Sequence, residues 1–457
     1  LGSDSAVLLN RLGMTLYEMN NSNDAIKSYE KALLIDPLSP HVLNNLGNAL
    51  YKIGHLDRAM SVLNKAISLD PRYSDAYNNM GSVLQDLGEL DEAVMSLKTA
   101  ISLRPDFSLA HTNLGSVYRD MRQLENSVAS YNQAISLNPS LAEAHNSLGF
   151  VYLQLMDFKK GFDHYEWRWK SEKQAKLIGG ELCTSKPRWE GQSHGRVLIW
   201  PEQGLGDEIM FSSIIEDVYK NSSDLLVQVD ERLLPLFKRS FPTDVRFFSK
   251  EERILESDYD YQIPMGSLGM YFRPDLKSFA TSAKGYLKAD RELSKKLRSS
   301  LCIEDDEMLI GISWKSHSSV RGSNRKSLPL SQLMIALNAP KRRFINLQYG
   351  DVSSEIQQLS SDFGIEVLQV SEIDNKRDLE GLASLICACD KVVSTSNVTV
   401  HLAGSLGIET KVLLPFSWDW RWGSDQTDSY WYKSLKLYRQ SEIGDWKEPL
   451  HKLRTDM

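Results

Sequence analysis

Residues 47–80 read GNALYKIGHLDRAMSVLNKAISLDPRYSDAYNNM, and at Gly81 the same pattern begins again. Gly13, Gly47, Gly81, Gly115 and Gly149 share one register, 34 residues apart. Each is followed at a fixed distance by Ala25, Ala59, Ala93, Ser127 or Gly161, and then by Tyr29, Leu63, Leu97, Tyr131 or Tyr165. Ala32, Ala66, Ala100 and Ala134 come next, and Pro37, Pro71, Pro105 and Pro139 close the units. A small residue in each of two helices lets them cross closely, and proline, which lacks an N–H, stops the second helix. Units of this kind stack neighbour on neighbour and present a concave face.

The 34-residue pattern resembles the tetratricopeptide repeat (TPR). It predicts an all-helical solenoid over residues 1–170, five repeats long. The fifth copy has Lys173 in the proline register and runs into Tyr165-Glu166-Trp167-Arg168-Trp169. Leu1-Gly2-Ser3 aligns with Ile35-Asp36-Pro37, so Leu1 reads as a cut edge, a cloning scar or the tail of a further repeat. Asn45, Asn79 and Asn113 fall at one position of the first helix, between Arg11 and Ser147 in the same register. Each carries a donor and an acceptor, which suits a ladder gripping the backbone of an extended protein or peptide in the concave groove. Protein O-GlcNAc transferases place asparagines at this register for that purpose. The same side chains equally suit ties between adjacent repeats.

Composition narrows the function. A length of 457 residues suggests about three domains, and 42% hydrophobic with 25% charged residues is ordinary for a globular chain. With 53 Lys and Arg against 60 Asp and Glu the net charge is −7, and the longest basic run is Lys341-Arg342-Arg343, so a nucleic-acid footprint is absent. Cys183, Cys302, Cys387 and Cys389 form no disulfide framework and are expected to be reduced thiols. No apolar stretch reaches the length of a membrane span and no signal peptide leads the chain as given, so a cytoplasmic location is expected.

Residues 171–195 read as a connector, after which the pattern changes to alternating strands and helices. Strands are expected at 196–200, 225–229 and 245–248, and again at 309–314, 343–348, 366–370, 391–394 and 411–414. Two Rossmann-like α/β domains, 196–305 and 306–457, account for this economically, although strand order is not legible. Three strand ends carry chemistry. The first is Glu202-Gln203-Gly204-Leu205-Gly206-Asp207-Glu208. Ile209 stands where a dinucleotide fingerprint wants its third glycine, so hydride transfer is disfavoured. A glycine turn at Gly204 and Gly206 can approach a ligand closely, with carboxylates at its rim to deprotonate a hydroxyl. Asp207 also fits a helix cap.

The second strand end, Gly311-Ile312-Ser313-Trp314-Lys315, continues through His317, Ser318, Ser319, Arg321, Arg325 and Lys326. Ser313, Lys315, Arg321 and Arg325 suit a diphosphate, with lysine as a point charge and arginine as a fork. The third runs from Ser394 to Gly407, where Ser396, Asn397, Thr399 and His401 sit at a helix start whose amides and dipole favour an anion. A lone histidine there also fits a packed structural role. Asp258-Tyr259-Asp260 spells the Asp-x-Asp of metal-dependent transferases, but these aspartates are read as strand-edge or structural groups.

From Trp189 onward the chain resembles bacterial TPR glycosyltransferases related to the heptosyltransferase and O-GlcNAc transferase groups. Pro187-Arg188-Trp189-Glu190-Gly191, Glu202 to Asp207, Asp258-Tyr259-Asp260-Tyr261, His401-Leu402-Ala403-Gly404, Asp419-Trp420-Arg421-Trp422, Trp431-Tyr432 and Arg439-Gln440 carry the resemblance. It implies a GT-B pair of Rossmann-type domains, an inverting transfer from a nucleotide-diphosphate sugar to a protein or glycan hydroxyl, and neither metal nor cofactor. Asp207 maps to the catalytic base and Ser396 through His401 to the donor-binding helix start, although Ser396 stands where that family often carries an aspartate. A catalytically inactive transferase-like scaffold for protein partners is the alternative. Trp418, Trp420 and Trp422 are expected to brace the end of the cleft.

Overall fold

The structure, a computed structural model, describes residues 2–171, 175, 180–192, 194–279, 285–316 and 326–457. The chain forms two compact units, Leu1–Val151 and Tyr152–Met457.

The first unit is a run of helix pairs: α1 (Gly2–Glu18) with α2 (Ser22–Ile35), α3 (Pro40–Lys52) with α4 (Leu56–Leu69), α5 (Ser74–Leu87) with α6 (Leu90–Leu103), and α7 (Ser108–Asp120) with α8 (Leu124–Leu137). The unit boundary falls within α9 (Ala142–Gln154). The registers of the repeat each have a physical job. A Cβ on Gly13 would lie 2.5 Å from the ring of Tyr29, on Gly47 2.6 Å from Leu63 Cγ, on Gly81 2.5 Å from Leu97 Cγ, and on Gly115 2.9 Å from the ring of Tyr131. Glycine is therefore what lets the second helix of each pair lean its large residue onto the first. Ala25, Ala59, Ala93 and Ser127 are wholly buried at the same crossings, and Ser127 satisfies its hydroxyl by donating to the Gly115 carbonyl at 2.7 Å. Asp36, Asp70, Arg104 and Asn138 end the second helices with φ of −127° to −140° and ψ of 85° to 92°, outside the helical region, each one residue before a proline, whose ring disfavours helical backbone there.

The second unit opens with the end of α9 and α10 (Phe158–Tyr165), then builds two parallel sheets. β1 (Arg196–Trp200), β2 (Asp224–Val229), β3 (Arg246–Ser249) and β4 (Tyr261–Pro264) lie in the order β3-β2-β1-β4. β5 (Met308–Ser313), β6 (Arg342–Asn346), β7 (Lys391–Thr395), β8 (Thr410–Leu414) and β9 (Leu435–Arg439) lie in the order β6-β5-β7-β8-β9. Their apolar runs are buried on both faces, as expected of parallel strands covered by helices. The expected strand at 366–370 contributes one bridge, Leu368 to Ile345. β4 and β9 were not anticipated: β4 is four residues ending in a proline, and β9 mixes basic with apolar residues at a sheet edge.

Strand order positions the chemistry. In the first sheet the order reverses between β1 and β4, and in the second between β5 and β7. Ligands of open parallel sheets bind beyond the carboxyl ends of strands at such reversals. The three sequence motifs follow β1, β5 and β7.

Candidate functional site

β1 leaves the sheet at Trp200 and turns through Gln203, which takes φ +65°, into Gly204 and α11 (Leu205–Phe211). A Cβ on Gly204 would meet open space, whereas one on Gly206 would lie 3.0 Å from His401 Cδ2. Gly206 thus makes room for the histidine ring of the third motif, while Gly204 borders open space.

The three carboxylates of this turn have different fates. Glu202 is buried and receives both Nε and Nη2 of Arg168, at 2.8 and 2.7 Å. Arg168 is itself buried, donates also to Ser267 Oγ, and lies over the Tyr165 ring. Burial works against that guanidinium, but Glu202, Tyr165 and Glu166 together hold it charged. Glu208 accepts the Asp230 backbone N–H at 2.8 Å, and burial pushes its carboxyl up to about 7. Asp207 pairs with Arg421, whose Nε donates to Oδ1 at 2.8 Å and whose Nη2 donates to the same oxygen. Arg421 reaches Asp419 Oδ1 at 2.7 Å through Nη1. Burial would raise the Asp419 carboxyl, but Arg421 and Lys326 outweigh it and hold it at about 2.

Beyond β5, Gln348 Oε1 accepts three donors: Ser313 Oγ at 3.0 Å, Trp314 N at 2.9 Å and Lys315 N at 2.8 Å. The Lys315 ammonium pairs with Glu355, which also accepts Trp314 Nε1. Arg321 and Arg325, with His317, Ser318 and Ser319, lie outside the described residues.

Beyond β7, Asn397 caps α12 (Val398–Leu406), its Oδ1 accepting Thr399 N at 3.0 Å, and its Nδ2 donates to Ser313 Oγ at 2.8 Å. The second and third motifs are joined through this one amide. The Thr399 hydroxyl is buried without a hydrogen-bond partner among the described residues. Ser396 Oγ accepts Trp422 Nε1 at 2.9 Å. His401 is buried, stacks on Trp422 with ring centroids 5.3 Å apart, and contacts the Tyr432 hydroxyl through Nδ1 at 3.1 Å. Burial, aided by the charge of Arg421, lowers its pKa to about 3, so the ring is neutral at ordinary pH.

The short turn Trp420–Trp422 connects these groups. Trp420 enters a cluster with Phe162, Tyr165, Phe211 and Trp431, Arg421 holds Asp207, and Trp422 holds Ser396 and His401. Gly204, Gly206, Asp207, Ser313, Lys315, Ser396, Asn397, Thr399 and His401 therefore belong to one neighbourhood at the ends of β1, β5 and β7. Asp260 lies apart, paired with Arg196 at 2.8 Å. A cavity of about 820 Å³ opens beyond β6, lined by Arg232, Asn346, Gln348, Gln369, Asn375 and Lys376 among others. Asn375 donates to the backbone carbonyls of Asn346 and Gln348, and its Oδ1 is buried without a partner among the described residues. Sequence reading missed this cavity and Gln348; the run of carboxamides at the strand ends was the available signal. It quoted Arg168 and Arg421 without assigning either a task.

In the first unit, Asn45 donates to Asn10 Oδ1 at 3.0 Å, Asn79 to Asn44 Oδ1 at 2.8 Å and Asn113 to Asn78 Oδ1 at 2.8 Å. The three amides tie each repeat to the one before through a second asparagine register, one residue earlier in the chain.

The TPR repeat family matches residues 13–54, 47–88, 83–121 and 115–155. Protein FlbA of Caulobacter vibrioides is 30% identical over 286 residues, 59% of this chain and 47% of FlbA, so the chain spans about half the length of the curated relative it matches. Among solved structures, a thermophilic TPR protein of Thermus thermophilus is 24% identical, with 37% of this chain and 92% of that one covered and a TM-score of 0.34. MamA is 28% identical, with 36% and 96% covered and a TM-score of 0.31. Among the described residues no helix is long and apolar enough to cross a membrane. The N-terminal region of the chain is a TPR solenoid, and parallel α/β sheets follow it.

Proposed function

We propose that the second unit is an inverting, metal-independent glycosyltransferase of GT-B architecture, moving a sugar from a nucleotide-diphosphate donor to a protein or glycan hydroxyl, and that the TPR array recruits the acceptor or a partner. The observation that carries this reading is the meeting of Asp207, beyond β1, with the Asn397-capped start of α12, beyond β7: Gly206 leaves room for His401, and Arg421 and Trp422 of one turn hold both sides. A base and an anion-favouring helix end placed together suit a single displacement at the anomeric carbon. Asp207 takes the acceptor proton while Lys315, with Arg321 and Arg325, and the helix start stabilise the departing nucleoside diphosphate. The carboxamide-lined cavity beyond β6 is of a size and polarity for the nucleoside.

A thermal-shift panel of UDP, GDP, ADP and dTDP tests the reading, since a diphosphate stabilises only a fold that binds it. A selective rise, with turnover of the matching sugar nucleotide abolished in Asp207→Asn, is expected. No rise with any of the four, together with tight binding of a protein partner, would favour the inactive scaffold. That second reading draws on Ser396, whose hydroxyl is engaged by Trp422 where the resembling family often has a carboxylate.

A further inference from the structure

We propose that Arg421 is the positioning residue for Asp207: its guanidinium takes Oδ1 of the carboxylate and leaves Oδ2 as the oxygen that receives the proton of the acceptor hydroxyl. The inference rests on the glycosyltransferase reading of this site and specifies what the Arg421 contact does for the carboxylate it holds.

Two donors of Arg421, Nε and Nη2, converge on Asp207 Oδ1, and no described residue hydrogen-bonds Oδ2. With Cβ set by the helix, a carboxylate whose Oδ1 takes two donors of a planar fork is held in position, and a lysine ammonium offers no such fixed pair of donors. The fork is itself held from several sides. Asp419 Oδ1 accepts Nη1 at 2.7 Å and the Arg421 backbone N–H at 3.0 Å. Gln203 Oε1 accepts Nη2 at 3.4 Å, and the Trp420 ring lies 4.7 Å from the guanidinium carbon. Burial disfavours the cation, but Asp207 and Asp419 outweigh it and hold the guanidinium charged.

In the reaction, the acceptor oxygen bonds to the anomeric carbon as its proton passes to Oδ2. The bond from that carbon to the diphosphate oxygen breaks, and its electron pair leaves with the nucleoside diphosphate. Loss of the fork frees the carboxylate to rotate, and misplacement of this order costs on the order of 10²-fold in rate.

The test is steady-state kinetics of the full chain, using the sugar nucleotide of whichever base raises its melting temperature, for wild type, Arg421→Ala, Arg421→Lys and Asp207→Asn. Arg421→Ala is expected to lose kcat on the order of 10²-fold with donor KM within about twofold, and millimolar guanidinium ion to restore part of that kcat. Guanidinium is expected to restore nothing to Asp207→Asn. Arg421→Lys, which keeps the charge and guards against misfolding, is expected to recover less than guanidinium does. A rise of about tenfold or more in donor KM with kcat retained would overturn the inference, because Arg421 would then be holding the diphosphate. So would a kcat loss that guanidinium does not relieve, which marks a structural role. An inactive wild type would refute the reading of function and the inference with it, whereas an active wild type, an inactive Asp207→Asn and an unaffected Arg421→Ala would refute the inference alone.

Discussion

Arg168→Met should be the most damaging single change in the second unit. Arg168 is 2% exposed and Glu202 4%, and they meet through two bonds of 2.8 and 2.7 Å. Removing the guanidinium strips Glu202 of both bonds, and Gly266, where a Cβ would collide with Glu202 Oε1, shows how little space there is for water. An orphaned buried charge of this kind costs about 3–5 kcal/mol. With a urea m-value near 3 kcal/mol/M, the upper end for small proteins, the unfolding midpoint should fall by roughly 1–2 M. Tryptophan fluorescence reads the transition, because Trp169 and Trp200 pack together beside this pair. The double variant Arg168→Met/Glu202→Gln should recover most of the loss, since no charge is left uncompensated. A midpoint for Arg168→Met within about 0.3 M of wild type, or a double variant as damaged as the sum of the singles, would refute the argument.

Acidification should distinguish His401→Phe from wild type. The folded pKa of about 3 lies below the unfolded 6.5, so the unfolded state binds the proton first; the stability is present above pH 6.5 and lost as pH falls towards 3. Between pH 6 and 4, wild type should lose roughly 1.4 kcal/mol per pH unit more than the variant in denaturant titrations, and parallel profiles would refute this. Gly81→Ala should destabilise the solenoid by about 1–3 kcal/mol, measured by thermal unfolding, because its Cβ would stand 2.5 Å from Leu97 Cγ. Asn79→Ala should cost about 0.5–1.5 kcal/mol by the same measurement through loss of the tie to Asn44, and no change in stability would show that the tie is idle. Asp260→Asn, which weakens the pair with Arg196, should leave turnover near wild type and insensitive to chelator; chelator inhibition would overturn the metal-independent reading.

The 34-residue period was sufficient for the solenoid because each of its positions answers to a local contact. Gly81 meets Leu97 sixteen residues away, and Pro71 ends α4 one residue after Asp70. Contacts this near in the chain leave a periodic trace in composition. The strands β1, β5 and β7 were likewise legible as apolar runs followed by glycine and small polar residues. Tertiary structure alone decided which partner each of three neighbouring carboxylates takes. Glu202, Asp207 and Glu208 look alike in sequence, and their partners lie 34, 214 and 22 residues away. The asparagine ladder shows the same limit: its residues were visible, but the amide that each one bonds is set by how one repeat stacks on the next. A hydrogen bond between distant residues depends on the register of whole elements, which strand order and helix packing set and no local pattern records.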